Sequence, residues 1–301
     1  MKKVSAGIDI GGTNTVFGWV EPNGDFIWKG KIKTKDYKQP ENLVSEVSSQ
    51  LLDNLGNNEA IGVGIGAPNG NYYNGTIEFA PNLDWKGVVR LKELFNQHFD
   101  LPVLVTNDAN AAALGEMIYG GAKGVNNFIT VTLGTGLGSG IVSNGNLIYG
   151  HDAFAGELGH TIVEPGGRQC GCGRKGCLET YASATGISKT AFELTQKHMT
   201  SEQVAIAANN GEKWALEAFD KTAKILGFAL SNAVAITSPR IIFLFGGLAQ
   251  SGALIFDSTK KYMEENLLEI YKNKVQILPS ALQGVDAAIL GASALVWKEI
   301  S

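Results

Sequence analysis

One pattern occurs twice in this chain of 301 residues. An apolar run, Val4–Ile10, turns at Gly11-Gly12 and resumes over Thr15–Val20. It turns again at Pro22-Asn23-Gly24-Asp25 and continues through Phe26–Lys33. Further on, Phe128–Leu133 runs into Gly134-Thr135-Gly136-Leu137-Gly138, then Ser139–Val142, the turn Asn144-Gly145 and a third strand, Asn146–Tyr149. Laid side by side, the glycine turns and the Asn-Gly turns coincide to within a residue or two. Both copies read as a β-meander with tight turns, so the chain is expected to be two related halves.

Strands and helices alternate in the remainder. Helical spacing covers Pro40 to about Leu55, Leu91–Phe99, Asp108–Tyr119, Gly186–His198, Thr200–Ala208, Glu212–Ile236, Ala253–Tyr271 and Asp286–Lys298. Short strands are expected at Ile61–Gly66, Val103–Thr106, Arg240–Phe245 and Val275–Leu278, and Ala67–Gly87 reads as loop. This is an α/β pattern with helix-covered sheets. A 44% hydrophobic content supplies the core. The expected division is a smaller domain, 1–118 plus 288–301, and a larger one, 119–287.

A net charge of −4 with no basic block argues against a nucleic-acid surface. No apolar run reaches membrane-spanning length, and Met1-Lys2-Lys3 leads into a strand rather than a signal peptide.

All three cysteines fall in Cys170-Gly171-Cys172-Gly173-Arg174-Lys175-Gly176-Cys177, with His160 upstream. Three thiolates and one imidazole complete a tetrahedral zinc set, and four protein ligands leave no open position, so the zinc is structural. A disulfide would strand one thiol. Thiols committed to metal fit a reducing cytoplasm. His160 also closes Gly156-Glu157-Leu158-Gly159-His160, so a metal on one ring nitrogen would orient the other.

Each glycine turn follows a strand: Asp9-Ile10-Gly11-Gly12-Thr13-Asn14 and Leu133-Gly134-Thr135-Gly136. Backbone N–H groups there can approach phosphate oxygens, and Thr13 and Thr135 add hydroxyl donors. Neither is a Walker loop. Singly, each is equally a hairpin turn; paired in a duplicated fold, they suit one polyphosphate. Asp9 is the only charge in its strand. It is either a satisfied structural carboxylate or a group facing Mg²⁺. Gly246-Gly247, after an apolar strand, is a turn or a flat platform for a nucleobase or ribose.

Thr106-Asn107-Asp108-Ala109-Asn110 ends a strand and opens a helix. Asp108 is either that helix's cap or a base for an attacking hydroxyl. Asn107, Glu157, His160 and Glu179 can form a polyol pocket, with surface charge the alternative for the two glutamates. In Ala80-Pro81-Asn82-Leu83-Asp84-Trp85, Asn82 offers a further hydroxyl contact and Trp85 equally reads as packing.

Together these segments resemble the ROK family of sugar kinases and repressors. The resemblance rests on Asp9–Thr15, Gly62–Pro68, Ala80–Trp85, Asn107–Glu116, Leu133–Gly140, Gly156–His160, Cys170–Glu179 and Gly246–Gly247. It implies a duplicated actin-like ATPase (ribonuclease H-like) fold with two domains flanking a cleft. It implies ATP and Mg²⁺ transferring phosphate to the 6-hydroxyl of a hexose. Asp108 is then the base. Gly66, Asn82, Asn107, Asp108, Glu157, His160 and Glu179 meet the sugar. Asp9, Gly11, Gly12, Thr13, Asn14, Gly134, Thr135, Gly136, Gly246 and Gly247 meet the nucleotide. His160, Cys170, Cys172 and Cys177 hold zinc. The family also implies homodimers or homotetramers, which the apolar helices of the second half suit.

Two features depart from the family pattern: Asn69-Gly70-Asn71-Tyr72-Tyr73 after Gly66-Ala67-Pro68, and Asn14 where some members have Lys. Glucose is the leading acceptor; N-acetylmannosamine, N-acetylglucosamine, fructose and allose are the alternatives. Family repressors carry a helix-turn-helix domain ahead of this region, and a first core strand at Val4 favours a kinase. A non-catalytic sugar-binding protein is disfavoured by Asp108 and both phosphate loops.

Overall fold

A computed structural model describes residues 1–282 and 284–300. The chain forms two compact units: 1–124 with 147–155 and 281–301, and 125–146 with 156–280.

The first unit is built on a five-stranded sheet. Its strands are β1 (Lys3–Ile10), β2 (Asn14–Val20), β3 (Phe26–Lys33), β4 (Glu59–Ala67) and β8 (Val103–Asn107), in the order β3-β2-β1-β4-β8. β1 pairs antiparallel with β2 and parallel with β4, and β4 pairs parallel with β8. Alternate residues of β1, Val4, Ala6, Ile8 and Ile10, are fully buried. They share a core with Phe17, Trp19, Val63, Ile65 and Phe95. Helices α1 (Pro40–Asp53), α2 (Leu91–Asn96), α3 (Asp108–Ile118) and α8 (Gly284–Ile300) complete the unit. α8 lies directly on the sheet: a Cβ on Gly64 would collide with the Ala292 carbonyl, so only glycine admits the helix this closely.

The second unit repeats the plan. Strands β9 (Phe128–Leu133), β10 (Leu137–Ser143), β11 (Asn146–Leu147), β12 (Ile241–Phe245) and β13 (Gln276–Pro279) run in the order β11-β10-β9-β12-β13. β9 is antiparallel to β10 and parallel to β12, and β12 is parallel to β13. The two sheets therefore have the same strand order and sense, and the duplication expected from the turns is real. Helices α4 (Ala184–Thr195), α5 (Ser201–Asn209), α6 (Lys213–Thr237) and α7 (Ala253–Asn266) surround this sheet. Phe219, Leu226 and Leu230 of α6 pack with Ile129, Val131, Ile242 and Leu244. A complete capping box at Thr200 and Gln203 starts α5.

Several expectations need correction. Ala67–Gly87 is not wholly loop. It holds β5 (Gly70–Asn71) and β6 (Thr76–Glu78), which join β7 (Val88–Val89) in a small antiparallel sheet. Strands of two or three residues are too short to show alternation. α7 stops at Asn266, and Glu269–Tyr271 is a separate 3-10 turn. α2 ends at Asn96, and α4 runs from Ala184 because Ser183 caps it by accepting from the Gly186 N–H.

β11 ends at Leu147 because the following residues pack within the first unit. The units break at 124/125 and 280/281, not at 118 and 288. Glu116 of α3 is one reason: its carboxylate accepts from the Gly121 and Leu282 N–H groups, tying both flanking stretches to the first unit. No helix of the described residues is long and apolar enough to cross a membrane.

Candidate active site

Within the first unit, parallel register sets the site residues side by side. Asp9 pairs with Gly66, Gly66 with Thr106, and Ala67 with Asn107, across the ends of β1, β4 and β8. A Cβ on Gly66 would lie 3.6 Å from Asp9 Oδ1 and 3.7 Å from the Asp108 Cα, so Gly66 sits pinched between the two acids. Gly12 of the first glycine loop is covered by the Asn82 backbone, whose carbonyl leaves no room for a Cβ. Asp9, Gly66, Asn107, Asp108, Gly12 and Asn82 thus gather at one end of one sheet. Thr13 and Asn82 are exposed there, and Asn14 begins β2 opposite Lys33. Trp85 is core: it is buried and donates to the Tyr37 carbonyl at 3.2 Å.

Asn107, not Asp108, caps α3. Its backbone is extended and its Oδ1 accepts from the Ala109 N–H at 2.8 Å. Asp108 is the first helical residue, and its own Oδ1 accepts from the same N–H at 2.8 Å. The capping role expected of Asp108 is therefore filled by its neighbour. Protein crowds Asp108, yet the side chain keeps a solvent-facing side.

Burial raises the Asp108 pKa above the ordinary carboxylate value, against the pull of the Ala109 N–H. Burial, and then the Asp108 charge, push Asp9 up to about 7. Among the described residues no ion pair holds Asp9. In the second copy of the meander Thr132 stands at the equivalent place, and its hydroxyl accepts from the Gly138 N–H at 3.1 Å. The hairpin itself needs no acid. A half-buried carboxylate with a raised pKa and no ion pair among the described residues suits a hard divalent ion.

Within the second unit, Gly246 follows β12 in a left-handed conformation (φ 101°). A Cβ there would meet the Leu133 carbonyl at 2.7 Å and the Gly134 nitrogen at 3.2 Å. Gly246 is thus set against the second glycine loop, and a side chain on Gly247 would meet open space. Gly11, Gly12, Gly134 and Gly136 all lie outside the left-handed region. Close packing rather than turn geometry calls for glycine at Gly11, Gly12 and Gly136, whereas a Cβ on Gly134 would meet open space. Thr135 is exposed.

Glu179 lies against the same loop: Oε2 accepts from the Leu137 N–H at 3.2 Å and leaves no space for a Cβ on Gly136. Its Oε1 is 3.2 Å from Cys170 Sγ. One carboxylate therefore spans the glycine loop and the cysteine loop.

Cys170, Cys172, Cys177 and His160 present four ligand atoms within 4.8 Å of one another. Cys172 Sγ is 3.6 Å from Cys177 Sγ, and Cys170 Sγ is 3.8 Å from His160 Nδ1. Zn–S bonds of about 2.3 Å in a tetrahedron place sulfurs about 3.8 Å apart, whereas a disulfide needs about 2 Å. The donor set fits zinc in both chemistry and spacing. His160 turns Nδ1 toward the sulfurs, and its Nε2 lies 3.9 Å from Glu157 Oε2. The two ring nitrogens thus face different partners.

One contributor escaped the sequence reading. Arg168 is mostly buried; it donates to Glu193, to Thr190 and to the Thr180 and Gly186 carbonyls, and stacks on Tyr181. It ties the metal loop to α4. A lone arginine before a cysteine motif gives no signal of this.

Two sheets of identical strand order, each with a glycine loop between its first two strands, define a duplicated phosphotransferase-type α/β architecture, the actin-like ATPase fold. The chain belongs to the ROK family, which it matches over residues 5–299. It is 34% identical to a glucokinase of Halalkalibacterium halodurans, over 97% of this chain and 94% of that protein. It is 32% identical to a glucokinase of Thermotoga maritima, over 98% and 97%. A ROK family glucokinase from Streptomyces griseus, solved with glucose and AMPPNP, superimposes with a TM-score of 0.82 at 31% identity, over 98% of this chain and 99% of that one.

Proposed function

We propose that this protein is an ATP-dependent sugar kinase that phosphorylates the 6-hydroxyl of glucose. The observation that carries the reading is the arrangement around Asp108. Asp108 stands at the start of a helix whose cap is Asn107, with the half-buried Asp9 and Gly66 beside it. The relatives named glucokinase and the glucose and AMPPNP complex support glucose and ATP as the substrates.

In this reading Asp108 accepts the proton of the sugar 6-hydroxyl. Because phosphoryl transfer passes through a loose transition state, Asp108 chiefly orients that hydroxyl and takes its proton late. A pKa raised by burial makes Asp108 a better proton acceptor than an ordinary carboxylate. N–H groups of Gly11–Asn14 and Gly134–Gly136, with the Thr13 and Thr135 hydroxyls, cradle the phosphates. Asp9 would hold Mg²⁺, which neutralises phosphate charge. Gly246 and Gly247 offer backbone to the nucleoside. Gly66, Asn82, Asn107, Glu157, His160 and Glu179 would hold the hexose hydroxyls. Zinc on Cys170, Cys172, Cys177 and His160 Nδ1 would fix the loop that carries Glu179 and leave His160 Nε2 for the sugar.

Thiols committed to zinc suit a reducing cytoplasm, where the product would feed glycolysis. Phe228 and Ile236, exposed on α6, suit a homodimer or homotetramer.

The test is ADP release with MgATP across glucose, mannose, fructose, N-acetylmannosamine and N-acetylglucosamine. Glucose is expected to give the highest kcat/KM. Asp108→Asn is expected to lower kcat by about 10²–10⁴ while glucose still binds. Turnover by Asp108→Asn within a few-fold of wild type would remove the base assignment.

A further inference from the structure

The stretch 147–155 follows a strand of the second unit, yet it packs in the first. The Asn69–Tyr73 loop holds it there. The Tyr149 ring lies flat on Tyr72, with centroids 4.0 Å apart and planes 12° apart. The Tyr73 hydroxyl donates to the Gly150 carbonyl at 2.9 Å. Asn71 Nδ2 donates to the Asp152 carbonyl at 3.1 Å. Asn71 is itself buried, and its Oδ1 accepts from the Tyr73 and Asn74 N–H groups. The stretch also closes on itself, the Ala155 N–H donating to the Tyr149 carbonyl at 3.0 Å.

The other side of the loop bears on the strand end that carries the base. Gly70 lies against the Thr106 carbonyl too closely for a Cβ, and Thr106 leads into Asn107 and Asp108. The clasped stretch ends at Ala155. The next residue, Gly156, opens the turn bearing Glu157 and His160.

We propose that Asn71, Tyr73 and Tyr149 are positioning residues for the hexose: a clasp that orders 149–155 and so sets the entry of the chain into Gly156–His160. The inference rests on the kinase reading above. Ordering a segment costs conformational entropy. If the clasp is open, hexose binding must supply that ordering, and apparent affinity falls by the fraction of molecules already competent. No described hydrogen bond or ring contact joins the clasp to the Gly11–Asn14 loop of the same unit, so the effect is expected to be selective for sugar.

The experiment compares wild type, Tyr73→Phe, Tyr149→Leu and Tyr149→Phe. Each is measured for KM of glucose, KM of MgATP, kcat, Tm and hydrogen exchange over 147–160. Loss of the Tyr73 hydrogen bond should raise the glucose KM about five-fold. Tyr149→Leu should raise it by a similar or larger factor, while Tyr149→Phe, which keeps the stack, stays near wild type. MgATP KM and kcat should hold steady in all three. Exchange over 147–160 should quicken in the two impaired variants and slow again when glucose is added. Wild-type glucose KM with unchanged exchange in Tyr73→Phe and Tyr149→Leu would overturn the clasp. A joint rise of both KM values with a fallen Tm would also overturn it, as a merely structural role. A wild-type protein that phosphorylates no hexose would instead overturn the kinase reading.

Discussion

Asp9 is the residue at which burial bears most directly on stability. Its carboxyl has a higher pKa in the folded protein, about 7, than the ordinary 3.8, because burial and the Asp108 charge disfavour ionisation. Such a group favours the fold while protonated and penalises it once ionised. The penalty is small below pH 4, grows as pH rises, and is complete above pH 7. Each pKa unit is worth about 1.4 kcal/mol. Asp9→Asn should therefore have a Tm several degrees above wild type at pH 8, with the advantage narrowing by pH 5. The same variant should lose MgATP turnover at every pH. Calorimetry at the two pH values checks the first statement; a variant no more stable than wild type at pH 8 would show that Asp9 is a satisfied structural acid. The sequence left two readings of Asp9 open and favoured the metal-facing one. What separates them is Thr132, which fills the same place in the second copy without any charge, and that equivalence needs the strand register.

At the scale of elements, the cysteine loop, its turn at His160 and the glycine loop at Gly134–Gly136 act together because Glu179 touches two of them. Cys172→Ser removes a ligand on the exposed side of the cluster. Metal binding free energy is folding free energy for such a loop. The variant should bind well under one zinc per chain by elemental analysis, melt several degrees lower, and bind glucose more weakly. A zinc-free variant with wild-type Tm and glucose affinity would show that the cluster is independent of the site.

The Cys/His cluster was legible in sequence because all its members but one fall in eight residues and the chemistry of Cys and His is narrow. The long apolar helices and the meanders were legible for the same kind of reason, strong periodicity over many residues. The small sheet β5–β7 and the clasp at Asn71 and Tyr73 were not. Their strands are too short for a pattern, and their contacts join residues far apart in the chain.

The whole molecule is interleaved rather than sequential, and that has a consequence for folding. The first unit draws on 1–124, 147–155 and 281–301, whereas the second is made of 125–146 and 156–280. Its sheet is seated on α8, the last helix of the chain, through contacts such as Gly64 against Ala292. Ser5 and Ser293 hydrogen-bond in that buried seat at 2.7 Å. Ile289 of the same helix packs with Val16 and Val20 of β2. Contacts between the two ends of a chain carry the largest loop-closure cost and form late. Without α8 the first sheet would expose apolar β1 and β4 to water, and small domains have no surplus to absorb such a loss. The second unit keeps its own core around α6, β9 and β12 and all of its strands. A chain ending at Ser280 should therefore show slow hydrogen exchange over β9, β12 and α6, but fast exchange over β1, β4 and β8, with no glucose binding. Protected β1 and β4 in that truncated chain would mean that the first sheet is stable on its own strands and that α8 is an addition to it rather than its support.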